Sequence, residues 1–227
     1  MGVASHMARN RGALNRRRAN RIFRQGGSGP SIAQHRPLAS RKLDWGSHKL
    51  MEDWIEKKTI YQGTIFNVYA GPARLDNGAI VHRETVEHGG GVGIVPVVAG
   101  HVILVRQYRI ACGKDVLEIP AGRLEPGENP EWRARRELEE ETGYLADTLV
   151  LAARCHCSPG FTNELDYVFL GFGLTPTEPK PEAEERIELV RIPLDELGWR
   201  LDACEFEDAK TVIGLRELLA RGKPGEA

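Results

Sequence analysis

The chain has 227 residues, is 41% hydrophobic and 28% charged, and carries a net charge of -1. It holds no 18-residue apolar run and no leader with an apolar middle, which argues against a membrane-spanning helix or a secretory signal and for a cytoplasmic globular protein. The charge is unevenly spread. Residues 1–50 hold eleven Lys and Arg against a single acid, Asp44, which leaves -11 for the remainder.

That leader is rich in Arg, Gly, Ser and Pro, and has too few large apolar side chains to bury a core of its own. It is expected to be disordered and is set aside in reasoning about the fold. Three origins fit it. Ser5-His6-Met7 and Gly46-Ser47-His48 resemble cloning junctions, and Met51 is a natural start, so the segment reads as vector-derived. A basic arm for nucleic acid or an acidic partner also fits, as does an Arg-rich transit peptide. Nucleic acid enters the reading only through this segment.

From Thr59 the chain reads as strands. IYQGTIFNVYAGPARL and AIVHRETVEH flank Asp76-Asn77-Gly78, a hairpin signal in which Asn-Gly supplies positive φ angles. After Gly89-Gly90-Gly91, the stretches VGIVPVV and HVILVRQY form a second apolar hairpin about Ala99-Gly100, and DVLEIP is a further short strand. Glu125-Pro126-Gly127-Glu128 has Pro and Gly where a type II turn wants them. Asn129 then caps a helix with Pro130 in its first turn, running to about Thr142 before Gly143. TLVLAARCHC, ELDYVFLGF and RIELVRI are strands, LDEL a helical turn, and DAKTVIGLRELLARG an amphipathic helix with Val212, Leu215, Leu218 and Leu219 on one stripe. The predicted fold is an α/β sandwich on a mixed sheet. Cys155-His156-Cys157 has no second pair at zinc-finger spacing, so the four cysteines are expected to be reduced and structural.

The helix from Pro130 to Thr142 has only Trp132, Ala134 and Leu138 as apolar residues, a thin stripe for burial. Its other face stacks Glu137, Glu140 and Glu141 at spacings of three and four, near the negative pole of the helix dipole. Each like-charged pair costs a few tenths of a kcal/mol, so the pattern implies a cation, either the neighbouring arginines or a metal.

Reading forward, Gly122, Glu128, Arg136-Glu137-Leu138, Glu140-Glu141 and Gly143-Tyr144 stand at the spacing of the Nudix box, and the chain resembles the Nudix hydrolases from about Thr59 to Gly222. That resemblance implies an α/β/α sandwich with a small N-terminal antiparallel sheet, and metal-dependent hydrolysis of a pyrophosphate bond. It implies that Glu137, Glu141 and the Ala121 carbonyl hold Mg²⁺ or Mn²⁺, with Glu140 as ligand or near-ligand, Arg136 orienting the carboxylates and Glu128 a secondary acid. Hard divalent ions with oxygen ligands suit that work, because they neutralise phosphate charge and activate water.

VRQYR, LEIPAG, CSPGFTNE and DAKTVIGL together resemble the ADP-ribose pyrophosphatase branch. This implies a nucleoside diphosphate sugar as substrate and a homodimer formed through the N-terminal strands. The division expected is a leader (1–50), dimerising strands (51–90), a hydrolase domain (91–222) and a tail (223–227). Arg109 is expected on a phosphate, with Arg106 and Glu118 as further candidates for substrate or fold. Tyr61, Phe66 and Trp54 stack on the base or fill the core. The general base is expected from the loop KPEAEER, with Glu184 first, then Glu185 and Glu182; Glu164 is the rival. The alternatives are a pyrophosphohydrolase acting on RNA ends or dinucleoside polyphosphates, and a non-catalytic Nudix regulator.

Overall fold

A computed structural model of the chain describes residues 51–178 and 186–222. Four strands build a small antiparallel sheet: β1 (Glu52–Trp54), β2 (Lys58–Gln62), β3 (Phe66–Leu75) and β4 (Ile80–His88). β1 and β2 share one edge of β3, pairing with Ala73–Leu75 and with 67–70, while β4 takes the other edge along its length. The stretch read as one strand from Ile60 to Leu75 is thus two strands folded on each other about Gly63-Thr64-Ile65. The turn between β3 and β4 also differs from expectation. Only Gly78 is left-handed, with φ 84°, and its N–H donates to the Leu75 carbonyl at 2.9 Å. Asp76, Asn77 and Gly78 therefore form a three-residue loop with glycine at the left-handed position, instead of a two-residue turn.

The main sheet has seven strands: β5 (Gly91–Val98), β6 (His101–Arg109), β7 (Lys114–Glu118), β8 (Ala121–Arg123), β9 (Tyr144–His156), β10 (Leu165–Pro176) and β11 (Glu188–Pro193). β5 runs parallel to β10, and the other pairings are antiparallel. The β5–β6 hairpin is joined only at Val97↔Val102 and Val98↔His101, after which the two strands splay apart. β7 fills the fork along β6 and β8 fills it along β5, and the Ile94 N–H donates to the Pro120 carbonyl at 2.9 Å where they meet. The fork thereby delivers Glu118 and Ala121 to one place.

Helices cover both faces. On one side α1 (Pro130–Thr142) lays Ala134 against Val92, Ile94, Leu124 and Phe169. On the other, α2 (Leu197–Asp202), entered through a 3₁₀ turn at Leu194–Glu196, and α3 (Ala209–Arg221) pack on Val95, Val97, Val168 and Leu170. This alternation of 92 and 94 with 95 and 97 is that of a strand buried on both faces. The stripe that α3 buries is rotated from the one predicted. Thr211, Gly214, Leu215 and Leu218 face the sheet, while Leu219 is 46% exposed. A Cβ on Gly214 would stand 2.6 Å from Val95 Cγ2, so the helix sits too close to the sheet for a larger residue there. Among the described residues no helix is long and apolar enough to cross a membrane.

Candidate active site

The ends of α1 are set by local chemistry. Asn129 Oδ1 accepts from the Glu131 and Trp132 N–H groups at 2.9 and 3.1 Å, and Gly143 closes the helix at φ 68° with its N–H on the Glu139 carbonyl. The preceding turn is the one predicted, with Gly127 at φ 82° and the Glu128 N–H on the Glu125 carbonyl at 3.0 Å. Between these fixed ends, Glu137 and Glu141 point inward and are 4% and 6% exposed, while Glu140 is half-buried.

β8 lies against these acids. Glu141 Oε2 accepts from the Ala121 N–H at 3.0 Å, so the backbone expected to join the metal ligands is in contact with one of them. A Cβ on Gly122 would fall 1.7 Å from Glu137 Oε1 and 2.1 Å from its Cδ. The box glycine is glycine because the Glu137 carboxylate occupies the space above it. The arginines answer the acids in a definite order: Arg133 pairs with Glu137, and Arg136 Nη2 donates to Glu140 at 3.1 Å. Arg136 Nη1 also lies 3.9 Å from Glu128, whose Oε2 accepts from the Glu125 N–H. The neighbouring arginines were one of the two cations expected to answer these acids, and the spacing of four between Arg133 and Glu137 is the signal that pairs them.

These residues fit a hard divalent cation. The Glu137 and Glu141 carboxylates lie against the Gly122 and Ala121 backbone, and carboxylate oxygens are the donors that Mg²⁺ and Mn²⁺ prefer. Both carboxylates are nearly sealed from water, with Arg133 beside Glu137.

Beside them Arg109, at the end of β6, grips Glu118, at the end of β7, through Nε to Oε1 at 2.7 Å and Nη2 to Oε2 at 2.9 Å. Glu118, with Glu141 and Asp208 behind it, holds the Arg109 pKa above the usual arginine range against the opposing effect of burial. The Arg109 side chain remains 41% exposed and its Nη1 lies outside the pair. Arg106 sits directly across from Glu188 of β11 and bonds it at 3.2 Å on the open surface.

A group that the sequence reading named only as a signature underpins this corner. Asp208 caps α3, accepting from the Thr211 N–H at 2.8 Å and its hydroxyl at 2.7 Å, and Thr211 Oγ1 accepts from the Ile119 N–H at 2.8 Å. Lys210 completes it with an ion pair to Asp208 at 2.8 Å. Desolvation works to lower the Lys210 pKa, but Asp208, Asp166 and Glu118 outweigh it and the net shift is upward. An aspartate followed three residues later by threonine, before an apolar run, was the available signal.

Of the proposed bases, Glu182, Glu184 and Glu185 lie outside the described residues. Glu164 stands at the rim of a cavity of about 340 Å³ lined by Phe66, Val86, His88, Cys157, Phe161 and Glu164 itself, among others. Its Oε1 is 3.4 Å from His88 Nδ1. Tyr61 and Phe66 are 54% and 40% exposed with ring centroids 5.7 Å apart, so neither fills the core.

A NUDIX domain profile matches residues 87–213. The chain is 38% identical over 172 residues to the ADP-ribose pyrophosphatase of Bacillus subtilis, covering 74% of this chain and 93% of that protein. It is 40% identical over 166 residues to the ADP-ribose pyrophosphatase of Mycobacterium tuberculosis, covering 71% and 80%. The crystal structure of an ADP compounds hydrolase superimposes with a TM-score of 0.67 at 26% identity, over 75% of this chain and 96% of that one.

Proposed function

The chain belongs to the NUDIX family, and from that premise we propose that it hydrolyses the pyrophosphate bond of ADP-ribose or a related nucleoside diphosphate sugar, giving a nucleoside monophosphate and a sugar phosphate. The observation that carries this reading is the packing of two buried α1 carboxylates, Glu137 and Glu141, against Gly122 and the Ala121 backbone. Glu137, Glu141, Glu140 and the Ala121 carbonyl are the residues that would hold Mg²⁺, with Mn²⁺ as a substitute. When bound, the cation would neutralise phosphate charge and lower the pKa of an attacking water.

The protein's own groups do the rest. Arg133 and Arg136 hold Glu137 and Glu140 in place through charge-assisted bonds. Arg109 turns its remaining N–H groups to a substrate phosphate while Glu118 fixes its plane. Arg106 and Glu118 complete the substrate side, and Glu184 or Glu185 takes the proton of the attacking water, with Glu164 as the alternative acceptor. A carboxylate engaged with a cation is a poor base, which is why the base is sought outside α1.

The same proposal places the protein in the cytoplasm, where four free cysteines persist, and makes it a homodimer through residues 51–90. The small sheet exposes Ile55, Ile60, Ile65 and Ile80 by 46 to 62%, and every residue of β2 is exposed, the kind of apolar surface that a partner covers. A panel of nucleotide sugars, dinucleoside polyphosphates and capped RNA, with phosphate release coupled to a phosphatase, tests the substrate class. ADP-ribose turnover at least ~10-fold above the RNA and polyphosphate arms is expected, a margin of about 1.4 kcal/mol in the barrier. Light scattering that finds a monomer at assay concentration would remove the dimer.

A further inference from the structure

A second set of donors lies at the loop between β9 and β10, none of it on α1. The β9–β10 register pairs Cys155 with Asp166 and His156 with Leu165, and the Cys157 N–H donates to the Glu164 carbonyl at 3.2 Å. Cys157 therefore stands across from Glu164, and Asp166, two residues on, shares the same face. One donor atom from each of the three lies within 4.8 Å of the others.

The independent sign of a missing ligand is Asp166, which is 1% exposed. Its Oδ2 accepts a single weak bond from the Cys157 thiol at 2.9 Å, and its buried Oδ1 has no hydrogen-bond partner. A carboxylate left this way in the interior is costly. Lys210 hydrogen-bonds Asp208 and acts on Asp166 only through its field. Cys157 and Glu164 line the cavity on one side of this carboxylate, and His88 Nδ1, which accepts from the Gly90 N–H at 3.1 Å, borders it without a free lone pair on that nitrogen.

We propose that Cys157, Glu164 and Asp166 form a binding site for a borderline-soft divalent cation of the zinc class, separate from the oxygen-only site on α1. A thiolate ligand favours Zn²⁺ or Co²⁺ over Mg²⁺, and three protein ligands leave a fourth, water-filled position on the cavity side. Binding releases the thiol proton to solvent, forms a metal–sulfur bond and gives the second oxygen of Asp166 a partner. Burial, reinforced by the Asp166 hydrogen bond, pushes the thiol pKa well above its usual range, so uptake must expel a held proton and tightens as pH rises.

The test uses the full chain stripped of metal and titrated with Co²⁺ in the absence of substrate. A near-ultraviolet sulfur-to-cobalt charge-transfer band is expected, saturating at one ion per chain, which the α1 carboxylates cannot produce. Cys157→Ala should abolish it, Cys155→Ala should keep it, and Asp166→Asn should weaken cobalt binding by ~10-fold or more, as loss of a supporting ligand does. A wild-type protein without the band, or a band that survives Cys157→Ala, overturns the site. X-ray absorption of the wild type with one equivalent of zinc needs no variant: a sulfur neighbour supports the proposal, and an oxygen-and-nitrogen shell alone refutes it. Because no hydrolysis is measured, failure here leaves the pyrophosphatase reading untouched.

Discussion

Arg109 and Glu118 are locked fork to fork at 2.7 and 2.9 Å across the β6–β7 pair, with Glu118 buried and Arg109 half in solvent. The arginine thus serves two masters, and substitution separates them. Arg109→Ala strands a buried carboxylate and should cost about 3 kcal/mol of stability. Arg109/Glu118→Ala/Ala should recover much of that loss in thermal melts, yet remain ~10-fold or more impaired in kcat/KM, in the range of about 1.4 kcal/mol per decade. If the double variant regains full kcat/KM, Arg109 does not touch substrate.

Metal dependence should reside in α1. Glu141→Gln keeps the Ala121 N–H acceptor but removes the charge, and turnover is expected to fall ~100-fold or more with circular dichroism unchanged, as loss of a metal ligand does. Excess chelator should abolish wild-type turnover and Mg²⁺ or Mn²⁺ should restore it. Undiminished rates in chelator would rule out this chemistry.

Gly122→Ala is the smallest change that should disable the site. The added methyl meets Glu137 at its Oε1, Cδ and Cγ, at 1.7, 2.1 and 2.8 Å, so no rotation of the carboxylate end relieves it. Displacing a ligand by ~1 Å costs on the order of 10²-fold in rate. Magnesium titrations of activity should show a raised requirement, and wild-type kinetics in this variant would contradict the packing described.

The base can be found by charge-neutral substitution. Glu184→Gln is expected to lower turnover by ~10²-fold, typical of general-base loss, with metal affinity little changed. Should Glu182, Glu184 and Glu185 all tolerate Gln while Glu164→Gln inactivates, the proton goes to the loop that follows β9.

The Asp208–Lys210 pair carries a pH signature. Burial alone would raise the Asp208 pKa, but Lys210 and the Thr211 hydrogen bonds outweigh it and hold it below the usual value. A carboxyl lowered on folding stabilises above its unfolded pKa of about 3.9, and that stability drains away as pH falls through the lower folded value. Asp208→Asn retains a capping side chain without the charge. Denaturant titrations should find it less stable than wild type by about 3 kcal/mol at neutral pH, with the gap narrowing in acid below about pH 4. A gap that widens in acid would contradict the pairing.

What could be read in advance followed the range of the forces involved. Asn129, Pro130, Gly127 and Gly143 act on their own neighbourhood, so the ends of α1 and the turn before it stood where expected. The spacing of Glu137, Glu140 and Glu141 likewise placed them on one helix. Pairings made across the fold were not legible. That Thr211 receives the Ile119 N–H, 92 residues away, depends on how α3 meets the fork in the sheet. The buried stripe of α3 was misjudged because Gly214 and Thr211 face the sheet, and a hydrophobicity pattern gives small and hydroxylated residues no credit for close packing. Cys155 and Cys157 looked equivalent on paper, but Cys155 is paired across from Asp166 within the ladder, while Cys157, just past the end of the strand, is the one whose thiol hydrogen-bonds Asp166.

The profile match begins at residue 87, one position past a seam in the molecule. Val86 of β4 bridges the loop after β9: its N–H donates to the Phe161 carbonyl at 2.7 Å, and its carbonyl accepts from the Asn163 N–H at 3.4 Å. His88 adds an N–H to Asn163 Oδ1 at 2.8 Å. A fragment cut where the profile match starts would remove Val86 from that seam and leave His88 to hold the loop bearing Cys157 and Glu164. The piece that holds together as a unit therefore reaches back ahead of residue 87, and the likeness to the Bacillus subtilis protein, over 74% of this chain, reaches back with it.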